Sequence, residues 1–387
     1  MSSHKDGPAR HGRSLMKAAV YVALALMLAA GPAWVAGCES SEAEVETTIS
    51  QETASTTPTT IPEVTDTIYP DETIYPTTTP TTTAKLEKLT LVAPPGPMAI
   101  PLAYLVVNDK LADVAEKTEL VIWENADQLK AMVAGKQGDI VTMPSNSAAI
   151  FYNKGLELRL LDISVWNITY LVTTDPLAAS FSDIKGESLA VSLQGSVPDV
   201  MFQYIAMKEG LDPEKDFDLQ YVSDPTQAAQ LLLAGKVDNA VLSEALATAV
   251  LLQTKTAEKP LRKAFAFDAA WAKAAGGSAL SAIAGTVATA TVMDKPEVIA
   301  AFQREYAAAV EWMLANPEAA GQLVETELPE LGLKAAVMTT SLKSITWKYT
   351  PAAEARASLE AFYQALSELS PQVIGGKLPD DGFYYTP

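Results

Sequence analysis

The chain contains 387 residues and carries a formal charge of −19, from 28 Lys and Arg against 47 Asp and Glu. This length is enough for two domains, and the acidic balance excludes the nucleic-acid-binding classes that depend on a basic patch. The only cysteine is Cys38, and the only histidines are His4 and His11. Intrachain disulfides are therefore excluded, and so are Ser–His and Cys–His nucleophile pairs and common zinc sites in the body of the chain.

The N-terminal segment predicts a lipoprotein signal peptide over residues 1–37. Its basic residues end at Lys17, an apolar run covers residues 18–30, and small residues immediately precede Cys38. This arrangement is typical of secretory signals, and the residues before the cysteine resemble the lipobox at which bacterial lipoproteins are cleaved and acylated. We therefore expect a lipid on Cys38 that anchors the protein at the outer face of the cytoplasmic membrane. A transmembrane anchor is the alternative, although Pro32 and the short apolar run disfavour it.

Residues 38–84 predict a disordered tether. This segment is rich in Thr, Pro, Glu and Ser and contains few large aliphatic residues, so it cannot bury enough apolar surface to offset its chain entropy. A flexible coil of this length spans roughly 40 Å, which would hold the body of the protein clear of the membrane.

From residue 85 onward, short apolar runs alternate with amphipathic segments, which predicts an α/β fold. We expect strands at residues 88–94, 119–124, 139–143, 156–165, 169–174, 188–193, 219–222 and 282–293. We expect helices that begin near residues 101, 127, 145, 200, 226, 295, 317, 333 and 351. The expected architecture is a pair of mixed, mostly parallel sheets, each flanked by helices.

Two segments about a hundred residues apart share one pattern of helix, turn and strand. Ala134-Gly135-Lys136 is followed by Asp139, and Ala234-Gly235-Lys236 is followed by Asp238. This repeat predicts two lobes of one architecture, although the chance recurrence of a common helix ending is the alternative. Ligands of open α/β sheets bind beyond the carboxyl ends of the strands, so each lobe would present half of a site there.

The C-terminal helices are expected to return to the first lobe, because the chain would cross between the lobes twice. We assign residues 85–173 and 290–387 to the first lobe and residues 174–289 to the second. The first crossing is expected at Asp175-Pro176.

Five features, taken in order, resemble the solute-binding proteins of ABC importers in the alkanesulfonate, nitrate, taurine and thiamine-precursor group. They are the opening strand with its Pro/Gly loop, the first Ala-Gly-Lys unit with residues 145–147, the turn at 183–186 before the loop at 194–196, the second Ala-Gly-Lys unit ending at 243–244, and the helix from Lys295 to Ala315-Asn-Pro-Glu. The resemblance covers residues 88–385. It implies a type 2 periplasmic-binding-protein fold, in which two α/β lobes joined by two hinge strands close on a solute.

The same resemblance implies the partners. The closed form would dock on an ABC permease with its ATPase subunits, and the lipid anchor would hold the protein at the membrane. We expect a monomer that binds a small-molecule solute, uses no cofactor or metal and binds no nucleic acid.

A solute site is predicted at the strand ends, between four loops. Its residues are Pro95, Gly96 and Met98; Ser145, Asn146 and Ser147; Gln194, Gly195, Ser196 and Asp199; and Ser243 and Glu244. Trp166 is a further candidate, as a wall on which a solute could stack. No Arg or Lys lies in the four loops, and Asp199 and Glu244 favour a neutral or amine-bearing solute, although helix N-termini could also hold an oxyanion.

These residues have structural alternatives. The loop at Pro95 is equally consistent with a tight turn between a strand and a helix, Ser196 with an N-cap, and Trp166 with core packing. Relatives often place Trp before the glutamate and Pro after it, whereas Leu242 and Ala245 flank Glu244 here. A capping or helix-surface role is therefore the alternative for this glutamate.

The sequence therefore predicts a binding protein and not an enzyme. Two alternatives use the same fold. One is a tethered ligand sensor without a transporter, and the other is an enzyme that relies only on carboxylates such as Asp199 and Glu244.

Overall fold

The structure is a computed structural model that describes residues 84–276, 281–329 and 332–387. The predicted signal peptide, Cys38 and the tether as far as residue 83 lie outside these residues. In the part of the chain that is described, none of the helices combines the length and the hydrophobicity that crossing a bilayer requires.

The first sheet is mixed, and three of its neighbouring strands are parallel. Its strands are β1 (Leu89–Ala93), β2 (Thr118–Ile122), β3 (Ile140–Pro144), β4 (Leu158–Leu160), β5 (Asp162–Asn167), β11 (Ala284–Thr289) and β12 (Thr346–Pro351). Their order across the sheet is β2-β1-β3-β11-β5-β12, and β4 pairs with β11. Strand β1 runs parallel to β2 and β3, whereas β11 is antiparallel to β3.

Helices cover both faces of this sheet. One face carries α1 (Ile100–Val107), α8 (Pro296–Ala315), α9 (Pro317–Glu327) and α10 (Ala335–Leu342), and the other carries α2 (Ala126–Ala134), α3 (Ser145–Asn153) and α11 (Ala352–Leu369). The alternation of side chains along each strand explains the two layers. Leu91 and Ile140 pack with the first group of helices, and Val92 and Val141 pack with the second.

The second sheet repeats the same arrangement with fewer strands. Its strands are β6 (Thr169–Thr173), β7 (Ser188–Ser192), β8 (Asp218–Val222), β9 (Asn239–Ser243) and β10 (Arg262–Ala266), in the order β8-β7-β9-β6-β10. Strand β7 is parallel to β8 and β9, and β6 is antiparallel to β9. Helices α5 (Pro225–Leu233) and α6 (Glu244–Thr254) cover one face, and α4 (Val197–Lys208) and α7 (Phe267–Ala274) cover the other.

Two strands belong to the opposite sheet from the one implied by our lobe boundaries. Strand β6, which we placed in the first lobe, pairs with β9 and β10 of the second sheet. Strand β11, which we placed in the second lobe, pairs with β3, β4 and β5 of the first sheet. The chain therefore crosses first at Asn167–Ile168 and not at Asp175-Pro176. Pairing with distant strands decides the sheet to which a strand belongs, and the local sequence does not reveal it.

The two aspartates of the sequence repeat have equivalent roles. The backbone N–H of Thr90, near the start of β1, donates to the carboxylate of Asp139 at 2.7 Å. The N–H and hydroxyl of Ser188, at the start of β7, donate to the carboxylate of Asp238 at 3.3 and 2.6 Å. Each carboxylate therefore ties the amino end of one strand to the neighbouring parallel strand, β3 or β9. The repeat that the sequence predicts corresponds to equivalent parts of the two sheets.

A hydrophobic cluster continues from one lobe into the other. The rings of Trp271 on α7 and Phe362 on α11 meet edge to face with centroids 5.1 Å apart, and the ring of Tyr204 on α4 lies 4.7 Å from that of Trp271. The hydroxyl of Thr346 on β12 also donates to Asp268 on α7 at 2.9 Å. Side-chain contacts therefore hold the two lobes together in addition to the chain crossings.

The sequence analysis missed β10, α7 and β12, and it merged β4 and β5 into one strand. Strand β10 begins with two charged residues, Arg262 and Lys263, so its sequence lacks the apolar run that would predict a strand. Strand β12 has a detectable signal, because Trp347 is buried and Lys348 is exposed, an alternation that is typical of a strand with one solvated face.

Candidate functional site

The four predicted loops all lie at the carboxyl ends of strands, as the sequence analysis expected. Residues 95–98 follow β1, and residues 145–147 follow β3. In the second lobe, residues 194–199 follow β7, and residues 243–244 join β9 to α6. Because these strands are parallel within each sheet, the loops of each lobe lie along one edge.

The chain crosses directly between these two edges. Ala284, at the start of β11, lies opposite Pro144 at the end of β3 and also pairs with β5. Strand β6 begins at Thr169, opposite Ser243 at the end of β9. A single residue, Ile168, separates β5 from β6. The carboxyl-end edges of the two sheets therefore adjoin at the crossing.

The polar groups of Ser145 form hydrogen bonds within the protein. Its hydroxyl donates to the carbonyl of Ala282 at 2.5 Å, its N–H donates to the carbonyl of Ile283 at 2.9 Å, and its own carbonyl accepts from the hydroxyl of Tyr363 at 2.6 Å. The residue is 1 % exposed. The predicted contact between this hydroxyl and a solute is therefore not available in this arrangement, because the segment that leads into β11 lies directly against it.

The next two residues of this loop are more accessible. Asn146 is half-buried, and its side-chain N–H donates to the carbonyl of Val373 at 3.1 Å. Ser147 is also half-buried. These two residues present polar groups near the surface at the end of β3.

The loop after β1 has a conformation that requires glycine. Gly96 has φ 111°, and its carbonyl accepts from the N–H of Ala99 at 3.0 Å. A residue with a side chain rarely adopts this φ. Pro95 is exposed and Met98 is half-buried, whereas Gly96 is buried. The loop is therefore a tight turn between a strand and a helix, and it leaves Pro95 and Met98 accessible. A contact between these two residues and a solute stays a prediction.

Asp199 stabilises the loop after β7 from within. It is fully buried, and it accepts hydrogen bonds from the N–H of Gly195 at 2.7 Å, the side-chain amide of Gln203 at 3.0 Å and the hydroxyl of Tyr221 at 2.9 Å. Burial, and secondarily this carboxylate, raises the pKa of Tyr221. The expected contact between Asp199 and a solute amine is therefore not available in this arrangement, since the carboxylate faces its own loop.

The surface of the same loop consists of neighbouring residues. Leu193 and Gln194 are exposed, and Leu193 adopts φ 54°. Ser196 is the N-cap residue of α4, but its side chain makes no capping bond and donates instead to the carbonyl of Ser192 at 3.3 Å. Gln194, Gly195 and Ser196 are therefore the accessible site residues of this loop.

Glu244, at the first position of α6, is also buried and paired. It is 0 % exposed, and the Nζ of Lys263 donates to its Oε2 at 2.5 Å. The hydroxyl of Thr248 donates to Oε1. Desolvation by burial raises the pKa of Glu244, and hydrogen bonds from Lys263 and Thr248 oppose the rise. Glu244 is therefore neither on the helix surface nor a free carboxylate. The adjacent Ser243 is exposed.

Trp166 belongs to the core. It is 4 % exposed, its indole N–H donates to the carbonyl of Lys348 at 2.8 Å, and its own carbonyl accepts from the hydroxyl of Ser281 at 2.6 Å. The indole is therefore not available as a stacking wall in this arrangement, and the core-packing alternative holds.

The structure adds residues that the sequence analysis did not connect with the site. Lys263 lies on β10, and its Nζ is 4.5 Å from the centroid of the Tyr170 ring. The hydroxyl of Tyr170 donates to the carbonyl of Ser344 in the first lobe. These residues surround Glu244 only through strand pairing and lobe contact, so no local sequence signal could have identified them.

The second lobe also carries a surface groove of about 720 Å³. Its lining includes Thr173, Asp175, Glu187, Glu258 and Arg262. Because Thr173 and Arg262 lie opposite each other at the far end of β6, this groove is at the amino-end edge of the sheet, away from the four loops. Among the described residues, no group of three or more side chains is arranged to hold a metal ion.

Comparison with known protein families gives a match over more than half of the chain. Residues 117–320 match the family described as NMT1/THI5-like. No match was found among curated protein sequences.

Solved structures with the same fold include two bacterial transport proteins. An ABC transporter protein from Parabacteroides distasonis is 25% identical, with a TM-score of 0.64 and coverage of 78% of this chain and 99% of the other. The periplasmic aliphatic sulphonate binding protein SsuA from Escherichia coli is 16% identical, with a TM-score of 0.59 and coverage of 78% and 92%.

A third solved structure states the fold in its description. A Candida albicans gene product, described as having the generic periplasmic binding protein structural fold, is 14% identical, with a TM-score of 0.52 and coverage of 77% and 94%. These neighbours confirm the predicted periplasmic-binding-protein fold with its two α/β lobes.

Proposed function

Because the chain belongs to the NMT1/THI5-like family, we propose that it captures a small solute between its two lobes, outside the cytoplasm, and delivers that solute to an ABC permease. The observation that carries this proposal is the direct crossing from β5 to β6, since it connects the carboxyl-end edges of both sheets. Ligands of open α/β sheets bind at such edges. The likeness to SsuA makes an aliphatic sulfonate the first solute to test.

The family match and the structural neighbours support a binding protein rather than an enzyme. The neighbours are described as a transporter protein and as a sulphonate-binding protein. The buried state of Asp199 and Glu244 also gives no support to the carboxylate-only enzyme, because neither group is free to reach a substrate in this arrangement.

The predicted site residues divide into two groups by exposure. We propose that the accessible group contacts the solute; it consists of Pro95, Met98, Asn146, Ser147, Gln194, Gly195, Ser196 and Ser243. The buried group supports the loops; it consists of Gly96, Ser145, Trp166, Asp199 and Glu244. This division supports a site of hydroxyls and amides around a mostly uncharged surface.

The anchor and the partners complete the proposal. Acylation of Cys38 and the tether over residues 38–84 would hold a monomeric body near its permease and ATPase subunits. The support for this part is the sequence pattern of residues 1–38, which is typical of exported lipoproteins.

The function can be tested on the purified mature chain. Native mass spectrometry should find one retained small molecule, and calorimetry should detect binding of ethanesulfonate. Gln194→Ala and Ser243→Ala should each lower this affinity by about three- to tenfold, since each removes a hydrogen-bonding group worth about 1 kcal/mol.

A matched control is Gln364→Ala, which removes an exposed glutamine from α11 and should leave the affinity unchanged. If Gln194→Ala and Ser243→Ala both bound ethanesulfonate as tightly as wild type and the control, the proposed site would be contradicted. A protein that retains no solute and binds neither sulfonates, nitrate nor aminopyrimidines would contradict the function.

A further inference from the structure

Two carboxylates lie at the second lobe's half of the candidate site, and only one of them is paired with a cation. Asp199 is surrounded by neutral donors, which are a backbone amide, a side-chain amide and a phenol. Glu244 is the one that meets a cation, since Lys263 donates to it at 2.5 Å. A buried carboxylate without a cationic partner is costly, because it loses its hydration. The partner of Glu244 therefore decides whether its charge is felt by a bound solute.

Lys263 reaches this position from the outer edge of the sheet. It lies on β10 opposite Val172 of β6, and its ammonium group lies over the ring of Tyr170, at the first turn of α6. Its Nζ also lies 3.4 Å from the hydroxyl oxygen of Thr248. The side chain of Lys263 is 18 % exposed and that of Glu244 is 0 % exposed. The ammonium group therefore lies between the carboxylate and solvent.

The ion pair sits where both edges of the candidate site meet. The N–H of Glu244 donates to the carbonyl of Ile168, the single residue between β5 and β6, at 2.8 Å. Tyr170, under the ammonium group, is bonded to Ser344 of the first lobe. Ser243, immediately before Glu244, is exposed at the end of β9. A charge left uncompensated at Glu244 would therefore belong to the residue next to the exposed Ser243 of the candidate site.

We propose that Lys263 is a specificity-determining residue: it withdraws Glu244 from solute binding, so that the solute is held through an uncharged or anionic group and not through an amine. This inference rests on the proposed function of the same site. It replaces the preference for amines that the sequence suggested, because that preference assumed free carboxylates. It requires no direct contact between Lys263 and the solute, since the lysine acts through Glu244.

Calorimetry with two probes of similar size and opposite charge, ethanesulfonate and ethylamine, tests this role. Wild-type protein should bind ethanesulfonate and show no measurable binding of ethylamine. Lys263→Met keeps the stem and removes the charge, so it should lower the affinity for ethanesulfonate at least about tenfold. Lys263→Arg keeps the charge and should remain within about threefold of wild type.

The double variant Lys263→Met/Glu244→Gln separates this role from direct contact and from a loss of fold. It removes both charges, and it should restore ethanesulfonate affinity to within about threefold of wild type. Failure of this rescue, in variants whose thermal unfolding shows that they are folded, would overturn the proposal. Binding of ethylamine more tightly than ethanesulfonate by wild type would overturn it as well.

The solute retained by the purified protein distinguishes this inference from the function on which it rests. A retained cationic solute would overturn the role of Lys263 and leave the binding function intact. Retention of no solute, together with no binding of either probe, would overturn both.

Discussion

Asp162 is a carboxylic acid enclosed in the first lobe. It is fully buried on β5, one carboxylate oxygen accepts from the hydroxyl of Thr286, and the other has no partner among the described residues. Burial raises the pKa of Asp162 to about 7, and the hydrogen bond from Thr286 opposes the rise. The group therefore links the stability of the first lobe to pH.

The sign of this link follows from proton counting. In unfolded chains an aspartate titrates near pH 4, so between about pH 4 and pH 7 the folded protein holds a proton that the unfolded chain has released. Its contribution to stability is present below pH 4 and is lost as pH rises through this window. In wild type, the unfolding free energy should therefore fall between pH 5 and pH 8. In Asp162→Asn this fall should be smaller by about 3 kcal/mol.

Urea unfolding at both pH values measures this effect. Asp218→Asn, a change at the exposed start of β8, is the matched control and should leave the pH dependence as in wild type. A pH dependence in Asp162→Asn equal to that of wild type would show that the buried carboxyl is not the group responsible.

Gly285 illustrates a second constraint set by a single residue. A Cβ at this position would lie 1.8 Å from the backbone carbonyl oxygen of Asp162, and backbone cannot move aside as a flexible side chain can. Gly285→Ala should therefore cost about 3 kcal/mol of unfolding free energy or more. Gly155→Ala is the control, since Gly155 has φ 85° but open space around it, and it should cost only about 1–2 kcal/mol. Similar costs in urea unfolding would argue against the close approach.

At the scale of elements, the repeated Ala-Gly-Lys units identify equivalent parts of the two sheets. Asp139 and Asp238 make the same kind of bond, but Asp139 is half-buried and also accepts from the hydroxyl of Thr291 at 2.6 Å, whereas Asp238 is exposed. Asp139→Ala should therefore destabilise the protein by about 2–3 kcal/mol, and Asp238→Ala by about 1 kcal/mol. Chemical denaturation measures both, and a larger loss from Asp238→Ala would contradict this ranking.

The sequence predicted those helices and strands that are determined by neighbouring residues in the chain. Leu129, Met132 and Val133 recur at helical spacing, and they are the buried residues of α2, which ends at Gly135. The sheet membership of β6 and β11 could not be predicted in the same way. Each is a short apolar strand that could pair in either lobe, and its place is decided by partners far away in the chain.

The candidate site shows the same limit. Its four loops could be predicted because strands and turns have local signals, and all four lie at strand ends. Whether a side chain in a loop is free depends on residues from elsewhere. The hydroxyl of Ser145 donates to Ala282, and Glu244 accepts from Lys263. Neither partner could be predicted from the motif that contains the site residue.

For the whole molecule, the crossing at Ile168 and the contacts between lobes define the arrangement. The cluster of Tyr204, Trp271 and Phe362 joins the lobes through apolar rings, while the accessible polar groups lie at the strand ends. We therefore propose that the ring cluster supplies stability and that the loops bind the solute. A solute that bridges the lobes should therefore order loops in both of them.

Hydrogen–deuterium exchange with and without the retained solute tests this central claim most directly. We expect slower exchange on solute binding in residues 95–98 and 145–147 of the first lobe and in residues 193–196 and 243–247 of the second. Protection confined to one lobe, or centred on the groove around Thr173 and Arg262, would contradict it.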